Sequence, residues 1–254
     1  TVKVQGFIEN LRNSKYMAFI VLKDITGKLQ ITVEKEDHPD LVDTIDKLTP
    51  DSVITVTGKV VENDYVKMGG VEMIPESIEI ESIADALPIV RKEIAATKKK
   101  KAVERSSIDQ RIDYRWIDLR TDENQLMFKA QSCFVNAMRK FLLDRNFIEI
   151  HTPKLIAAAS ESGSEVFKVD YFDRNAYLAQ SPQFYKQMAM AAGFERIFET
   201  GPVFRAEKSY TNKHSTEFSG FDLEFSYITS YKDVMKMEEE LLTAGLQAVK
   251  DNYG

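Results

Sequence analysis

The first 81 residues alternate between short apolar runs and turn residues, a pattern that predicts a β-rich module. The runs are rich in Val, Ile, Phe and Tyr, as strands are, and turn signals such as Thr26-Gly27 and Gly69-Gly70 separate them. Between the third and fourth runs, apolar residues recur at helical spacing and predict a helix over 38–48. The five predicted strands cover residues 2–9, 16–22, 28–34, 52–61 and 71–81.

Three strands, a helix and two more strands is the order expected of a five-stranded OB barrel. This fold is often used to hold single-stranded nucleic acid. A generic small β-barrel fits the same pattern, so the pattern alone leaves both folds open.

The rest of the chain predicts a mixed helical and stranded domain. Residues 83–108 have no strand periodicity, contain Pro88 and many alanines, and are predicted to form a partly helical linker. Beyond them, helices are predicted over 124–146, 182–192 and 231–253, and strands over 147–150, 176–179, 196–205 and 217–227. The prediction is therefore an α+β protein in three parts, residues 1–82, 83–108 and 109–254.

Composition narrows the class of protein. The chain has 254 residues, of which 43% are hydrophobic, so it is not disordered throughout. No apolar run approaches the roughly 18–20 residues that a membrane span needs. One cysteine excludes an internal disulfide, and three distant histidines argue against a metal cluster. The net charge of −6 argues mildly against bulk binding of nucleic acid. We expect a soluble cytoplasmic protein with no membrane partner.

The stretch with the most chemical information is a predicted pair of strands joined by a charged loop. It reads FETGPVFRAE over 198–207 and then, beyond the loop, HSTEF over 214–218 and FDLE over 221–224. The planar fork of Arg205 can hold two phosphate oxygens, and the ring of Phe218 can stack on a purine. The alternative is a surface hairpin with incidental charges.

The whole string resembles motif 2 of class II aminoacyl-tRNA synthetases, in the aspartyl and asparaginyl branch. FIEIHTPK over 147–154 follows the long predicted helix and resembles motif 1 of that family. The N-terminal module is similar to the anticodon-binding OB domain of the same branch. The resemblance covers nearly the whole chain. It implies a class II catalytic domain built on an antiparallel sheet, and a homodimer formed through motif 1.

Two further segments resemble those of the aspartate-specific members of the branch. QSPQFYKQ over 180–187 resembles their amino-acid-binding segment, and SESGSEVF over 160–167 resembles a loop that closes over bound aspartate. A buried substrate carboxylate needs a cationic partner, because desolvating it unpaired costs several kcal/mol, and Lys186 would supply that partner. The alternative for Lys186 is an exposed helical lysine.

The resemblance implies a reaction and a set of ATP-binding residues. L-Aspartate and ATP would form aspartyl-adenylate and pyrophosphate, and aspartate would then pass to the 3′ end of tRNA(Asp) in protein biosynthesis. Arg205, as the catalytic residue, would bind the α-phosphate of ATP and stabilise the transition state. Glu207 would contact the adenine amino group, Phe218 would stack on adenine, and His214 would lie near the γ-phosphate.

For aspartate, the resemblance implies one set of residues that binds the α-ammonium group and another that binds the side chain. The α-ammonium group would be held by Ser181, Gln183 and Asp222. The side chain would be held by Lys186 and by the closing loop that carries Glu161.

The resemblance also implies a metal ligand and an anticodon site. Glu224 would ligate Mg²⁺, which needs only one or two carboxylates beside ATP oxygens. Arg12, Phe19 and Gln30 match the anticodon-binding positions of the family, where an aromatic ring stacks a splayed base and polar groups read its edge. The alternative for Phe19, which lies in an apolar run, is the barrel core.

The chain departs from the family pattern in two places. Lys213 and Ser215 flank His214, where the family more often has Arg and Leu. No segment resembles the third motif, a glycine-rich strand and helix whose arginine grips the γ-phosphate. We therefore expect a catalytic domain that lacks its C-terminal part, and a chain that is inactive or nearly so by itself.

Three alternative functions stay open. One is an asparaginyl-tRNA synthetase, and another is a non-catalytic paralogue or fragment that only binds tRNA. An asparagine-synthetase relative on the same catalytic fold is disfavoured, because that group lacks an anticodon module. The short N-terminus is typical of the archaeal and eukaryotic type, and the sequence leaves open whether tRNA(Asn) is charged as well.

Overall fold

The computed structural model describes residues 1–93, 102–158, 165–209, 211 and 213–254. These residues divide into two compact units, Thr1–Asp118 and Leu119–Gly254. The predicted domain limits at residues 82 and 108 stay predictions. Within the described part of the chain, no helix is long and apolar enough to cross a membrane.

The first unit contains a closed five-stranded barrel, as predicted. Its strands are β1 (Val2–Asn13), β2 (Met17–Lys23), β3 (Lys28–Glu34), β4 (Val53–Glu62) and β5 (Val71–Ser82). They follow the order β1-β2-β3-β5-β4, and β1 pairs with β4 to close the barrel. Only β3 and β5 run parallel among these pairs. Alternation along β2 buries Ala18, Ile20 and Leu22 in the barrel core.

The helix predicted over 38–48 is shorter than its apolar pattern suggests. It begins as a 3-10 turn at Pro39–Leu41 and continues as α1 over Val42–Ile45. The next turn closes with i to i+3 bonds, since Leu48 N–H donates to Ile45 O at 3.1 Å. The side chains of Leu41, Ile45 and Leu48 are all buried in the barrel core, so the predicted apolar face is confirmed.

The segment after β5 is fastened to the barrel by an ion pair and a hydrogen bond. Both terminal nitrogens of Arg91 donate to the Asp51 carboxylate, at 3.0 and 2.9 Å. Asp51 is buried and has a left-handed backbone, with φ of 69°. Thr49 Oγ1 donates to Ala84 O at 2.7 Å. The described residues of 83–107 contain no helix, and α2 (Ile108–Asp113) and α3 (Arg115–Asp118) follow.

The second unit contains two long helices and two small sheets. The helices α4 (Asp122–Leu143) and α6 (Tyr231–Tyr253) pack against each other. The remaining elements are β6 (Ile148–Glu149), β7 (Leu155–Ile156), β8 (Lys168–Tyr171), β9 (Arg174–Leu178), α5 (Gln183–Ala191), β10 (Arg196–Phe204) and β11 (Glu217–Phe225). One sheet has the order β11-β10-β6 and the other the order β7-β9-β8.

The core of the second unit lies between the helices and the β10–β11 hairpin. The Phe198 ring stacks on the Phe221 ring, with centroids 5.8 Å apart. Met138 and Leu142 from α4 and Leu241 from α6 belong to the same buried cluster. One face of the hairpin therefore packs in the core, and the other face is available to bind a ligand.

The observed elements differ from the predicted ones mainly at their ends. The helix predicted to reach residue 146 ends at Leu143, and Asn146 turns the chain with a φ of 62°. The strand predicted over 147–150 is reduced to β6, which pairs in parallel with β10. The strands β7 and β8 were not predicted.

Candidate active site and nucleic-acid cleft

The candidate active site lies on one face of the β10–β11 hairpin. Residues directly opposite each other in an antiparallel pair lie on the same face. On this face the pairing sets Glu199 against Asp222, Gly201 against Gly220 and Val203 against Phe218. The opposite face, with Phe198 and Phe221, is in the core. The period of two thus separates the chemical residues from the structural ones.

Arg205 and Phe218 come together in a cleft on this face. Arg205 directly follows β10, and its backbone N–H donates to Thr216 O at 2.9 Å. Its guanidinium carbon lies 5.7 Å from the centre of the Phe218 ring, and both side chains line the cleft. This arrangement offers a cation for a phosphate next to a ring face for a base.

The other two residues predicted to bind ATP are not part of that lining. Glu207 is exposed in the loop after β10. His214 is exposed as well, and its Nδ1 lies 2.6 Å from Thr211 Oγ1. The structure therefore brings together Arg205 and Phe218, whereas Glu207 and His214 are not among the described residues that line the cleft.

Lys186 of α5 reaches across to two carboxylates of β11. Its Nζ donates to Asp222 Oδ1 at 2.8 Å and lies 3.2 Å from Glu224 Oε2. Burial by itself would lower the pKa of Lys186, but the hydrogen bonds and charges of Asp222 and Glu224 outweigh burial and raise it. Lys186 is thus held charged and half-buried, and the alternative of an exposed helical lysine is wrong.

The segment between β9 and α5 places two more of the predicted aspartate-binding residues. Ser181 lines the cleft, and its Oγ accepts a long hydrogen bond from Gln183 N–H at 3.4 Å. Gln183 is the first residue of α5, one turn before Lys186. Glu161, the predicted residue of the closing loop, lies outside the described residues.

A buried ion pair at the cleft has no counterpart among the predicted site residues. Lys154 Nζ donates to Glu199 Oε1 at 2.8 Å and to Thr152 Oγ1 at 3.1 Å. Glu199 also accepts from the N–H and the hydroxyl of Thr152, at 2.9 and 2.7 Å. Burial would raise the pKa of Glu199, but Lys154 and Thr152 outweigh burial and lower it. These residues lie within the segments that resemble motifs 1 and 2, but only the folded chain brings them together.

The donor set for Mg²⁺ is small in the described part of the chain. No group of three or more His, Cys, Asp or Glu residues there could hold a metal ion. Glu224, the predicted ligand, lies beside Asp222 and is balanced by Lys186. Oxygen donors of this kind suit Mg²⁺ when phosphate oxygens complete its shell.

The barrel carries a second cleft, of about 490 Å³, on the outer faces of β2 and β3. Arg12, Phe19 and Gln30 all line it. Phe19 alternates with the core residues of β2 and is absent from the core, so the core alternative for Phe19 is wrong. The guanidinium carbon of Arg12 lies 6.0 Å from the centre of the Phe19 ring.

Glu72 organises this cleft, and no sequence signal marked it. Its carboxylate accepts hydrogen bonds from Thr32 Oγ1 at 2.5 Å, Gln30 Nε2 at 3.2 Å and Asn63 Nδ2 at 2.7 Å. Burial would raise the pKa of Glu72, but these three donors outweigh burial and lower it. Glu72 therefore stays charged and fixes the amide of Gln30.

Comparison with known families assigns both halves of the chain. The model for class II tRNA synthetases (D, K and N) matches residues 107–253. The model for the OB-fold nucleic acid binding domain matches residues 2–81.

Individual relatives match nearly the whole chain. An aspartate–tRNA(Asp/Asn) ligase of Methanopyrus kandleri is 45% identical over 98% of this chain and 56% of the relative. An aspartate–tRNA(Asp) ligase of Picrophilus torridus is 42% identical over 100% of this chain and 57% of the relative. The crystal structure of an asparaginyl-tRNA synthetase from Pyrococcus horikoshii with asparaginyl-adenylate matches with a TM-score of 0.88 at 30% identity, over 98% of this chain and 55% of that one. The chain thus spans little more than half the length of these relatives.

Proposed function

The chain belongs to the class II tRNA synthetases of the D, K and N group, and on that premise we propose that its protein is an aspartate–tRNA ligase. The protein would activate L-aspartate with ATP and transfer it to the 3′ end of tRNA(Asp). Family membership confirms the predicted OB barrel and class II catalytic fold. Relatives named for aspartate at 45% and 42% identity support the amino acid.

The observation that carries the proposal is the pair formed by Lys186 and Asp222. In the free protein the two charges neutralise each other at 2.8 Å. Bound aspartate would supply a new partner to each member of this pair. Its side-chain carboxylate would replace Asp222 beside Lys186, and its ammonium group would replace Lys186 beside Asp222. Ser181 and Gln183 would add polar contacts to the ammonium group, and Glu161 would close over the side chain. The side-chain amide of asparagine is neutral and offers no anion to Lys186, so the pair favours aspartate.

Activation needs no nucleophile from the protein. The α-carboxylate of aspartate would attack the α-phosphorus of ATP, a carboxylate oxygen–phosphorus bond would form, and the bond to the pyrophosphate oxygen would break. Arg205 would hold the α-phosphate oxygens as their charge rearranges. Positioning and charge neutralisation would therefore supply the rate.

The remaining parts of the ATP site rest on the family resemblance, because of these residues only Phe218 lines the cleft. Phe218 would stack on adenine, Glu207 would contact its amino group, and His214 would face the γ-phosphate. Glu224 would hold Mg²⁺ together with ATP oxygens. When bound, Mg²⁺ neutralises phosphate charge.

The barrel and the long helix suggest the partners. Arg12, Phe19 and Gln30 would bind the anticodon of tRNA(Asp) in the barrel cleft. Leu126, Met127 and Phe128 are large apolar residues exposed on α4, which supports a homodimer formed through α4 and the strand after it. A cytoplasmic location is part of the same proposal.

The test is amino-acid-dependent exchange of pyrophosphate into ATP by the full-length gene product. Exchange with aspartate and much less with asparagine is the expected result. Exchange with asparagine alone would make the protein an asparaginyl-tRNA synthetase. Binding of tRNA without exchange of either amino acid would make it a non-catalytic relative.

A further inference from the structure

The aromatic side chain of Tyr65, at the barrel cleft, is not packed in the core of the described chain. Tyr65 lies in the loop between β4 and β5, and 94% of its surface is exposed. It nevertheless lines the same cleft as Arg12, Phe19 and Gln30. Its neighbour Val66 is buried and anchors the loop.

The loop presents Tyr65 on a fixed turn. The backbone N–H of Tyr65 donates to Asn63 Oδ1 at 3.0 Å, and the N–H of Val66 donates to Asn63 O at 2.9 Å. The N–H of Gly70 returns to Val66 O at 3.1 Å, with Gly69 and Gly70 both at positive φ. Such a closed turn limits the entropy that Tyr65 would lose on binding.

The turn is also hydrogen-bonded to Glu72, which lines the cleft. Asn63 Nδ2 donates to Glu72 Oε1 at 2.7 Å, and the other carboxylate oxygen accepts from Gln30. Glu72 therefore links the turn that carries Tyr65 to the amide that would read a base edge. Phe19 on the strand and Tyr65 on the loop provide two ring faces in one cavity.

We propose that Tyr65 stacks on an unpaired base of the anticodon loop, as a second aromatic contact beside Phe19. This inference rests on the proposed function of the barrel as the anticodon site. The occupant is single-stranded RNA, because the cleft combines ring faces with amide and guanidinium groups that suit base edges and phosphates. A purely apolar partner would remove water from Arg12, Gln30 and Glu72 without offering them hydrogen bonds in return.

The experiment measures binding of a fluorescently labelled anticodon stem–loop of tRNA(Asp) to the 254-residue chain. Tyr65→Ala is expected to weaken binding roughly 5- to 150-fold, which corresponds to one lost base stack. Tyr65→Phe keeps the ring and is expected to bind within about twofold of the wild type, as stacking needs only the ring face. Ile25→Ala is the matched control, since Ile25 is 91% exposed on the β2–β3 turn and does not line the cleft.

A second measurement identifies the base. RNAs that carry 2-aminopurine at one loop position each are bound to the wild type, Tyr65→Ala and Ile25→Ala. If the fluorescence of 2-aminopurine at one position is quenched by the wild type and by Ile25→Ala but not by Tyr65→Ala, the inference is supported. That position identifies the stacked base.

Two outcomes would overturn the inference in distinguishable ways. If Phe19→Ala weakens binding but Tyr65→Ala binds like the wild type, the barrel is the anticodon site and Tyr65 does not stack. If the wild-type chain itself does not bind the stem–loop above a scrambled hairpin, the proposed function of the barrel fails and the inference falls with it.

Discussion

Gly201 lies directly opposite Gly220 where β10 pairs with β11. Both glycines line the cleft between the Arg205–Phe218 pair and the Lys154–Glu199 pair. A methyl group at Gly220 would come no closer than 3.7 Å to Val203 and 3.9 Å to Gly201 O, which is ordinary van der Waals contact. The fold therefore does not require glycine at this position, whereas a ligand lying over the strands would.

Substitution of Gly220 should separate folding from binding. We expect Gly220→Ala to change the free energy of unfolding by no more than about 0.5 kcal/mol. We expect it to lower kcat/KM for ATP roughly 10- to 100-fold in pyrophosphate exchange, because the new methyl group would displace the nucleotide. Ser219→Ala on the other face of β11 is the control. Unchanged kinetics in both Gly220→Ala and Gly220→Val would show that ATP does not cross the glycines.

Lys186 should decide between aspartate and asparagine. Lys186→Ala leaves Asp222 and Glu224 without their cation, and we expect kcat/KM for aspartate to fall about 30-fold to several thousand-fold. Exchange with asparagine should fall much less, so the preference would be lost. Lys140→Ala, which removes an exposed lysine of α4 paired with Asp144, should leave both values unchanged. A preference that survives Lys186→Ala would contradict the assignment.

Protonation of Glu199 should make the free energy of unfolding fall measurably at acid pH. Its pKa is lowered from 4.5 in the folded state, so its contribution to stability is complete above pH 4.5 and decreases as the pH falls through the lowered pKa. Glu199→Gln should cost about 3 kcal/mol at pH 7, since it leaves the Lys154 charge unpaired.

The comparison is made by urea unfolding at pH 7 and at several values below 4.5. The difference in unfolding free energy between wild type and Glu199→Gln should shrink as the pH falls. A difference that stays constant with pH would mean that Glu199 does not titrate with a lowered pKa.

Gly245 should be required for the contact between α4 and α6. A Cβ at this position would lie 2.6 and 2.7 Å from two ring carbons of Phe134, and 3.0 Å from Met138 Cγ. We expect Gly245→Ala to destabilise the protein by about 1–3 kcal/mol despite the better helix propensity of alanine. Urea unfolding followed by helical circular dichroism measures the loss. Thr243→Ala, an exposed position in the same helix, should cause none.

Elements with a long repeated pattern could be predicted well from the sequence. The helix predicted over 231–253 is observed as Tyr231–Tyr253, and the strands of the hairpin end within two residues of their predicted limits. Their apolar period repeats many times, so local information suffices. The strand β7 has only two residues and therefore no period to detect.

The parts of the site that depend on long-range contacts could not be predicted in this way. Lys154 and Glu199 are 45 residues apart in the chain, and Asn63 meets Glu72 only because β4 and β5 pair. Residue type indicated that Lys186 needs an anion. Only the folded register identifies Asp222 and Glu224 as the anions that hold it before substrate arrives.

Nine consecutive residue pairs hold β10 and β11 in one register, and this limits where a residue can be added or removed without harm to the site. Insertions or deletions in the connecting loop leave the strands paired as before. A shift of β10 by one residue would turn Phe198 toward the cleft and Glu199 toward the core. A one-residue insertion or deletion within a strand would therefore damage core and cleft together, whereas a substitution affects only the face on which it lies.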